Sequence, residues 1–359
     1  MLEQEEQGGA WCFGETHNDV LTNCYNRGQY LNTGSSERLR QQVNFEGIFS
    51  SDYTENPEFY DYTVIHVNYC DGAGHQGYVK DAIQVPNLDQ QIWFRGENNT
   101  KTILKYAKEV LNMDKADKVV VSGSSAGGLA GYTWIDFIAN DLKKRNPKIN
   151  VVGIFGGGVF LDYPSFQNGK YSFTNQMRNL FDITNKNAKY INQRCQKQNI
   201  QQPWKCMFAQ YLLEHIETDI LIINSGYDSY QIPFVLEIEC VGRILKINHL
   251  NGCTYQEQDY IEEFHQEFNQ LLKQIQKKKI NISSWVISCV GHDYLQKEIF
   301  FDKQCTVPQN SGNTAAYISE QFIKKKMKIN LIEEISWPDN INCSYKSRSD
   351  YFLVLYFLI

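Results

Sequence analysis

The sequence is short of prolines and of basic blocks, and each shortage excludes a class of protein. Only eight prolines occur in 359 residues, of which 42% are hydrophobic, so a disordered chain is excluded as the main state. The 35 basic and 41 acidic residues give a net charge of −6, and basic residues cluster only in short runs such as the lysine triplets at 277–279 and 324–326. Nucleic-acid binding needs a larger basic surface, so we expect no nucleic-acid partner.

Neither end of the sequence carries a recognisable targeting or membrane segment. Residues 1–6 are mainly acidic and lack the basic and apolar regions of a secretory signal. The apolar run at 351–359 has nine residues, less than half of the roughly 20 that span a bilayer, and it is short for a lipid-anchor tail. We therefore expect no membrane span, and a terminal strand or a frayed apolar end is the simpler interpretation of this run.

Ten cysteines occur without a CxxC motif or a Cys-His spacing suited to zinc, so we expect no metal site. Three pairs each enclose a short polar loop: Cys12 with Cys24, Cys195 with Cys206, and Cys240 with Cys253. We expect each pair to form a disulfide, which indicates an oxidising compartment. Scattered buried thiols in a cytosolic protein are the alternative. Three glycosylation sequons agree, although an Asn-rich sequence also produces them by chance: Asn98, Asn281 and Asn342.

Apolar, β-branched runs alternate with helical patterns along the chain. The runs predict strands at 62–67, 118–121, 151–155, 220–223 and 285–288, and the helical patterns cover 100–111, 127–143 and 257–277. This alternation predicts an α/β fold with a mostly parallel sheet and helices on both faces. Without an internal repeat or a long linker, residues 1–359 are expected to form one domain, with its chemistry at the carboxyl ends of the strands.

The strongest local motif is G-x-S-x-G at residues 123–127, between a predicted strand and a predicted helix. This context is typical of a nucleophile elbow, in which Ser125 projects its hydroxyl above the sheet. The following helix begins beside that hydroxyl, and its dipole favours developing negative charge. A Gly/Ser-rich turn that binds an anion, or nothing, is the alternative.

A serine nucleophile needs a base and an acid, which follow it in this order in α/β-hydrolases: acid, then histidine. Of the downstream histidines, His249 lies in a loop between two cysteines, and His265 lies in an amphipathic helix as a partly exposed structural histidine. His292 follows a strand at its carboxyl end and is the base by elimination. Asp228 follows the strand at 220–223 and is the expected acid, or else a turn cap. Asp293 is the rival acid, although adjacent residues in an extended loop point apart.

Acyl transfer also needs backbone donors for the tetrahedral oxyanion. The amide of Ala126, directly after the serine, supplies one. The small residues at 8–12 permit close backbone approach, so Gly9, Ala10 and Trp11 are the further candidates, although a flexible terminus is also rich in glycine.

Five sequence blocks together resemble the pectin acetylesterase family, which includes the Notum carboxylesterases. They lie at 8–12, 69–73, 123–128, 227–232 and 289–292, and the resemblance covers about residues 6 to 325. It implies an α/β-hydrolase-like fold and a secreted, disulfide-bonded, cofactor-free and monomeric ester hydrolase. It also implies a triad of Ser125, Asp228 and His292, with an oxyanion site at Gly9, Ala10, Trp11 and Ala126. The implied substrate is an acetylated polysaccharide such as pectin, or alternatively a protein that carries a longer acyl chain.

The chain departs from the family pattern at several positions. Ala10 stands where the family usually has glycine, and Gly156, Gly157 and Gly158 stand where it tends to have Asp-Ser-Gly, a change expected to loosen the support beneath the site. The family also has a signal and a first strand upstream, so we expect these to be missing here, and residues 340–359 to be an atypical tail. A catalytically inactive binding protein of this fold, or a peptidase or lipase of another α/β-hydrolase family, remains an alternative.

Overall fold

A mixed sheet forms the centre of the computed structural model, which describes residues 9–29, 34, 45–185, 192–241, 249–296, 298–325, 328–339 and 355–359. The strands are β1 (Val64–Val67), β2 (Ile83–Gln84), β3 (Gln91–Ile92), β4 (Lys118–Ser124), β5 (Asn150–Gly156), β6 (Ile220–Asp228), β7 (Ile282–Gly291), β8 (Asn330–Ile332) and β9 (Leu355–Leu358). The central order is β1-β9-β4-β5-β6-β7-β8, and β2 pairs only with β3. Strands β4 to β8 are parallel, so their carboxyl ends share one edge.

Helices cover both faces of this sheet. They are α1 (His17–Gln29), α2 (Gly96–Glu109), α3 (Ala126–Arg145), α4 (Ser172–Thr184), α5 (Gln193–Gln198), α6 (Ala209–Leu212), α7 (Gln231–Phe234), α8 (Tyr255–Lys278) and α9 (Ala315–Lys325). Side chains alternate along β4: Val119 and Val121 pack in the core with α3 and α8, and Val120 packs in the opposite core with α9. The predicted α/β fold is confirmed, although short 3₁₀ turns at Gly47–Phe49 and Glu298–Phe301 also cover the second face.

Strand β9 lies inside the sheet, antiparallel to both β1 and β4. Phe357 and Leu358 are fully buried in opposite cores, so the apolar run serves both faces at once. Of the two expectations for this run, a terminal strand or a frayed apolar end, the structure shows the strand. The rest of the expected tail, residues 340–354, and the first eight residues lie outside the described ranges.

The three predicted cysteine pairs are disulfide-bonded: Cys12 with Cys24, Cys195 with Cys206, and Cys240 with Cys253. Cys289 is also in a disulfide, and of the cysteines in the described ranges Cys70 and Cys305 are free. The sequon at Asn98 is exposed in the first turn of α2, whereas the Asn281 amide donates to the carbonyls of Ile216 and Thr218. Asn342 and Cys343 lie outside the described ranges.

Candidate active site

The carboxyl ends of β4, β6 and β7 bring Ser125, Asp228 and His292 together. Ser125 directly follows β4, Asp228 ends β6, and His292 directly follows β7. All three residues are buried. Side chains from strands that are distant in the sequence meet here because the strands are parallel and end at one edge.

Ser125 lies in a strained turn between β4 and α3. Its φ of +56° and ψ of −121° lie outside the regions that most side chains adopt. The Ser125 amide donates to the carbonyl of Gly156 (2.8 Å), and its carbonyl accepts from Leu129 (3.0 Å). A Cβ at Gly128 would lie 2.8 Å from the Gly156 carbonyl oxygen, so a glycine is needed where α3 starts against β5. The predicted strand, turn and helix are therefore present.

One continuous hydrogen-bonded chain joins the three side chains. His292 Nε2 lies 2.7 Å from Ser125 Oγ, and His292 Nδ1 lies 2.9 Å from Asp228 Oδ1. The same carboxylate oxygen accepts the amides of Tyr230 (2.8 Å) and Gln231 (3.2 Å) at the start of α7. Asp228 is thus both a turn cap and the partner of the histidine, which were alternatives at the sequence level.

The other candidate side chains do not take part in these hydrogen bonds between Ser125, His292 and Asp228. His249 is exposed in its loop. His265 is structural, but the expectation that it is partly exposed was wrong: it is 1% exposed, because it stacks on Tyr227 at 4.2 Å between α8 and β6. Burial lowers the pKa of His265. The Asp293 carboxylate turns away from His292 and accepts a hydrogen bond from Ser124 (2.7 Å).

The predicted oxyanion segment is held against the loop that follows β1. Ala10 has φ +48°, a left-handed conformation that glycine adopts freely. The Tyr69 hydroxyl donates to the Ala10 carbonyl (2.8 Å) and accepts the Gly74 amide (3.0 Å). Burial raises the pKa of Tyr69, so the hydroxyl stays a donor. Gly9 is described and buried, whereas Gly8 lies outside the described ranges.

Aromatic contacts bring this segment near the histidine. Trp11 packs edge-on against Phe160 at 4.8 Å, and the Phe160 ring lies 6.1 Å from the imidazole of His292. Ala126 is the first residue of α3, where backbone N–H groups have no acceptor within the helix. Ala126 thus directly follows the serine, and Trp11 approaches the imidazole through the Phe160 ring. The roles of these residues as oxyanion donors stay a prediction.

Sequence reasoning missed the aromatic side chains around the histidine. Tyr230 stacks on His292 at 5.3 Å and contacts Phe160 at 5.6 Å, and both rings are buried. Phe173 closes the same cluster against Trp11 and Phe160. Two of these rings contact the imidazole, and His292 is only 2% exposed. A sequence signal existed, because Tyr230 lies inside one of the family-like blocks.

A buried carboxylate supports the loop beneath the oxyanion segment. Asp71 accepts the amides of Ala73 (3.1 Å), His75 (3.2 Å) and Gly77 (3.1 Å). Burial raises the pKa of Asp71 to about 6, although these three bonds act in the opposite direction. The loop also accepts the Cys12 amide at the Gly72 carbonyl (2.9 Å). The loop therefore bonds to the oxyanion segment at both Ala10 and Cys12.

The glycines at 156–158 pack closely against residues 292–295, the loop after β7 that carries His292 and is called the histidine loop below. Gly157 has φ +53°, and a Cβ there would lie 2.5 Å from the His292 carbonyl oxygen. A Cβ at Gly156 would lie 2.8 Å from Leu295 Cγ. The expected loosening beneath the site is not seen, because the histidine loop occupies the space that side chains would need.

Within the described ranges, no group of three or more His, Cys, Asp or Glu side chains is arranged to hold a metal ion. In the same part of the chain, no helix combines the length and apolarity that crossing a membrane requires.

The sequence model of the pectinacetylesterase family matches residues 5–344. The chain belongs to this family. It is 32% identical to pectin acetylesterase 5 of Arabidopsis thaliana over 234 residues, which cover 64% of this chain and 50% of that protein. It is 26% identical to the palmitoleoyl-protein carboxylesterase NOTUM of Schmidtea mediterranea over 300 residues, which cover 81% of this chain and 51% of that protein.

A solved structure also resembles this member of the pectinacetylesterase family. The Wnt deacylase Notum from Drosophila superposes with a TM-score of 0.73 at 20% identity, covering 94% of this chain and 89% of that one. At this identity the likeness shows the fold alone, and it confirms the predicted α/β-hydrolase-like architecture. The chain spans about half the length of the curated relatives named above.

Proposed function

We propose that this protein is a serine carboxylic ester hydrolase that uses Ser125, Asp228 and His292 as its catalytic residues. The observation that supports this most strongly is the hydrogen-bonded chain from Ser125 Oγ through the imidazole to Asp228 Oδ1, at 2.7 Å and 2.9 Å. The bond to Asp228 selects the tautomer that leaves Nε2 free to accept the serine proton. Membership of the pectinacetylesterase family agrees with ester chemistry.

The proposed reaction has two steps. His292 Nε2 takes the proton of Ser125 as Oγ bonds to the acyl carbon, and Asp228 stabilises the imidazolium that forms. The amide of Ala126 and amides of Gly9, Ala10 and Trp11 hold the oxyanion. Cleavage of the ester bond releases the alcohol, which receives the proton from His292. Water then attacks the acyl-enzyme by the same route, releasing the acid and restoring Ser125.

The proposed substrate is an acetyl ester on a polysaccharide such as pectin, outside the cell. The family match and the identity to a plant pectin acetylesterase support a polysaccharide. The buried rings of Trp11, Phe160 and Tyr230 near the imidazole support a small acyl group, because they fill space beside it. The disulfides support an oxidising compartment. The second candidate is removal of a longer acyl chain from a protein, which the similarity to NOTUM favours.

Replacing the nucleophile tests the reaction. Ser125→Ala should lower the turnover of p-nitrophenyl acetate by roughly 10⁴-fold or more and abolish labelling by a fluorophosphonate probe, since only an activated serine reacts. The control is Ser122→Ala, which removes another buried hydroxyl of β4, one that donates to the Ile154 carbonyl. Circular dichroism should show both variants folded. Turnover or labelling retained in Ser125→Ala would reject the assignment, and a wild-type protein that neither reacts nor turns over would indicate an inactive binding protein.

A chain-length series tests the substrate class. With p-nitrophenyl esters from acetyl to palmitoyl, kcat/KM should be highest for acetyl and fall as the chain grows, because added methylene groups meet the buried rings. Acetylated pectin or xylan should release acetate. A maximum at long chains, with no acetate released from polysaccharide, would replace the proposed substrate with an acylated protein.

A further inference from the structure

Two hydrogen bonds lie side by side at the site. They join the adjacent residues Ser124 and Ser125 to the adjacent residues His292 and Asp293. Ser125 Oγ bonds to His292 Nε2 (2.7 Å), and Ser124 Oγ donates to Asp293 Oδ1 (2.7 Å). Both members of the second pair are buried. Since β5 and β6 separate β4 from β7 in the sheet, these bonds connect strand ends that do not pair with each other.

Asp293 organises the loop that carries the histidine. Its Oδ1 accepts the Leu295 amide (2.9 Å) as well as the Ser124 hydroxyl, and the Leu295 carbonyl in turn accepts the Ile48 amide (2.8 Å). The second carboxylate oxygen, Oδ2, is buried without a hydrogen-bond partner among the described residues. All bonds of this side chain thus converge on one oxygen, which an asparagine also provides.

The end of β5 leaves space for this link. A Cβ at Gly156 would lie 3.1 Å from Ser124 Oγ and 2.8 Å from Leu295 Cγ, so a side chain at 156 would crowd both Ser124 and Leu295. The histidine loop therefore lies close to Gly156 and Gly157 and is bonded through Asp293 to Ser124 at the end of β4.

We propose that Ser124 and Asp293 are positioning residues that hold the backbone of His292 at a fixed distance from Ser125. This rests on the proposed function, in which His292 is the base. The bond to Asp228 orients the imidazole ring, whereas the Ser124–Asp293 bond holds the backbone of the loop that carries His292. A displacement of about 1 Å between nucleophile and base is enough to lower a rate by about 10²-fold.

The test compares Ser124→Ala, Asp293→Ala, the double variant and Asp293→Asn on p-nitrophenyl acetate. Each alanine variant should lower kcat by about 10-fold to 100-fold with KM within about twofold of wild type, because the bond orients the base and does not contact substrate. The double variant should be no slower than the slower single variant, because both remove one link. Asp293→Asn should keep kcat within a few-fold, since its amide oxygen accepts the same bonds. Ser122→Ala is the matched control and should keep wild-type kcat.

Three outcomes would overturn the proposal: alanine variants with kcat within twofold of wild type, losses that multiply in the double variant, or an Asn variant as slow as the Ala variant. If an alanine variant does not fold, Ser124→Cys replaces it, because a thiol is nearly the same size but a weak donor. Its kcat should fall, and an unchanged kcat counts against the link. An inactive wild type would instead reject the proposed function, whereas active wild type with equally active variants rejects only this inference.

Discussion

At the scale of single residues, close packing against His292 requires a glycine at position 157. Gly157 combines a left-handed backbone, φ +53°, with a position where a Cβ would lie 2.5 Å from the His292 carbonyl oxygen. The same Cβ would lie 3.3 Å from both Cε1 and Nδ1 of the imidazole. A methyl group there meets the backbone and the ring of the proposed base at once, so even the smallest side chain must displace them.

Substituting this glycine separates the steric effect from the backbone effect. Gly157→Ala should lower kcat for p-nitrophenyl acetate by about 10²-fold, because the methyl group moves His292 away from Ser125. The matched control is Gly169→Ala: its φ is +66°, but no atom lies within 4 Å of the added Cβ. Both variants carry a left-handed alanine, which costs about 1–2 kcal/mol of stability. Steady-state kinetics and thermal unfolding measure the two effects, and equal losses of activity in both variants would contradict the prediction.

At the scale of elements, the sequence predicts well those helices and strands whose signal is local. The pattern at 127–143 corresponds to α3 (Ala126–Arg145), and the one at 257–277 corresponds to α8 (Tyr255–Lys278). Thr254 forms a capping box with Glu257, so the start of α8 is also determined by residues close to it in the sequence. The strand before the elbow was predicted three residues short, because Ser122, Gly123 and Ser124 are not β-branched although they pair fully with β5.

Strand pairing was beyond sequence reasoning because its partners are distant in the chain. The apolar run that contains β9 is typical of a strand buried on both faces, but nothing in it indicates a position between β1 and β4. That position is fixed by ladders to residues 64–67 and 120–123, and by the exchange of backbone bonds between Thr63 and Ile359. The aromatic cluster at the site has the same cause. Trp11, Phe160 and Tyr230 are far apart in sequence, and only the fold brings their rings to His292.

At the scale of the whole molecule, buried titratable groups make the stability depend on pH. Burial lowers the pKa of His75 to about 3 and that of His66 to about 4. Below their ordinary value of 6.5, the unfolded chain binds protons that the folded protein does not, so these histidines destabilise the fold as the pH falls. Asp71 has the opposite effect between pH 3.8 and about pH 6, because burial makes the folded protein hold the proton of the Asp71 carboxyl more tightly than the unfolded chain does.

The destabilisation from His75 and His66 is larger than the stabilisation from Asp71, so the free energy of unfolding should fall as the pH is lowered from about 6.5 towards 4.

His75→Asn removes one of the two destabilising contributions, and asparagine tolerates the left-handed backbone at this position, φ +59°. Between pH 7 and pH 5 the variant should lose about 2 kcal/mol less than the wild type. Urea unfolding at both pH values measures the difference within each protein, so the lost stacking of His75 on Tyr69 cancels. Equal losses in His75→Asn and the wild type would show that His75 is not a source of the acid sensitivity.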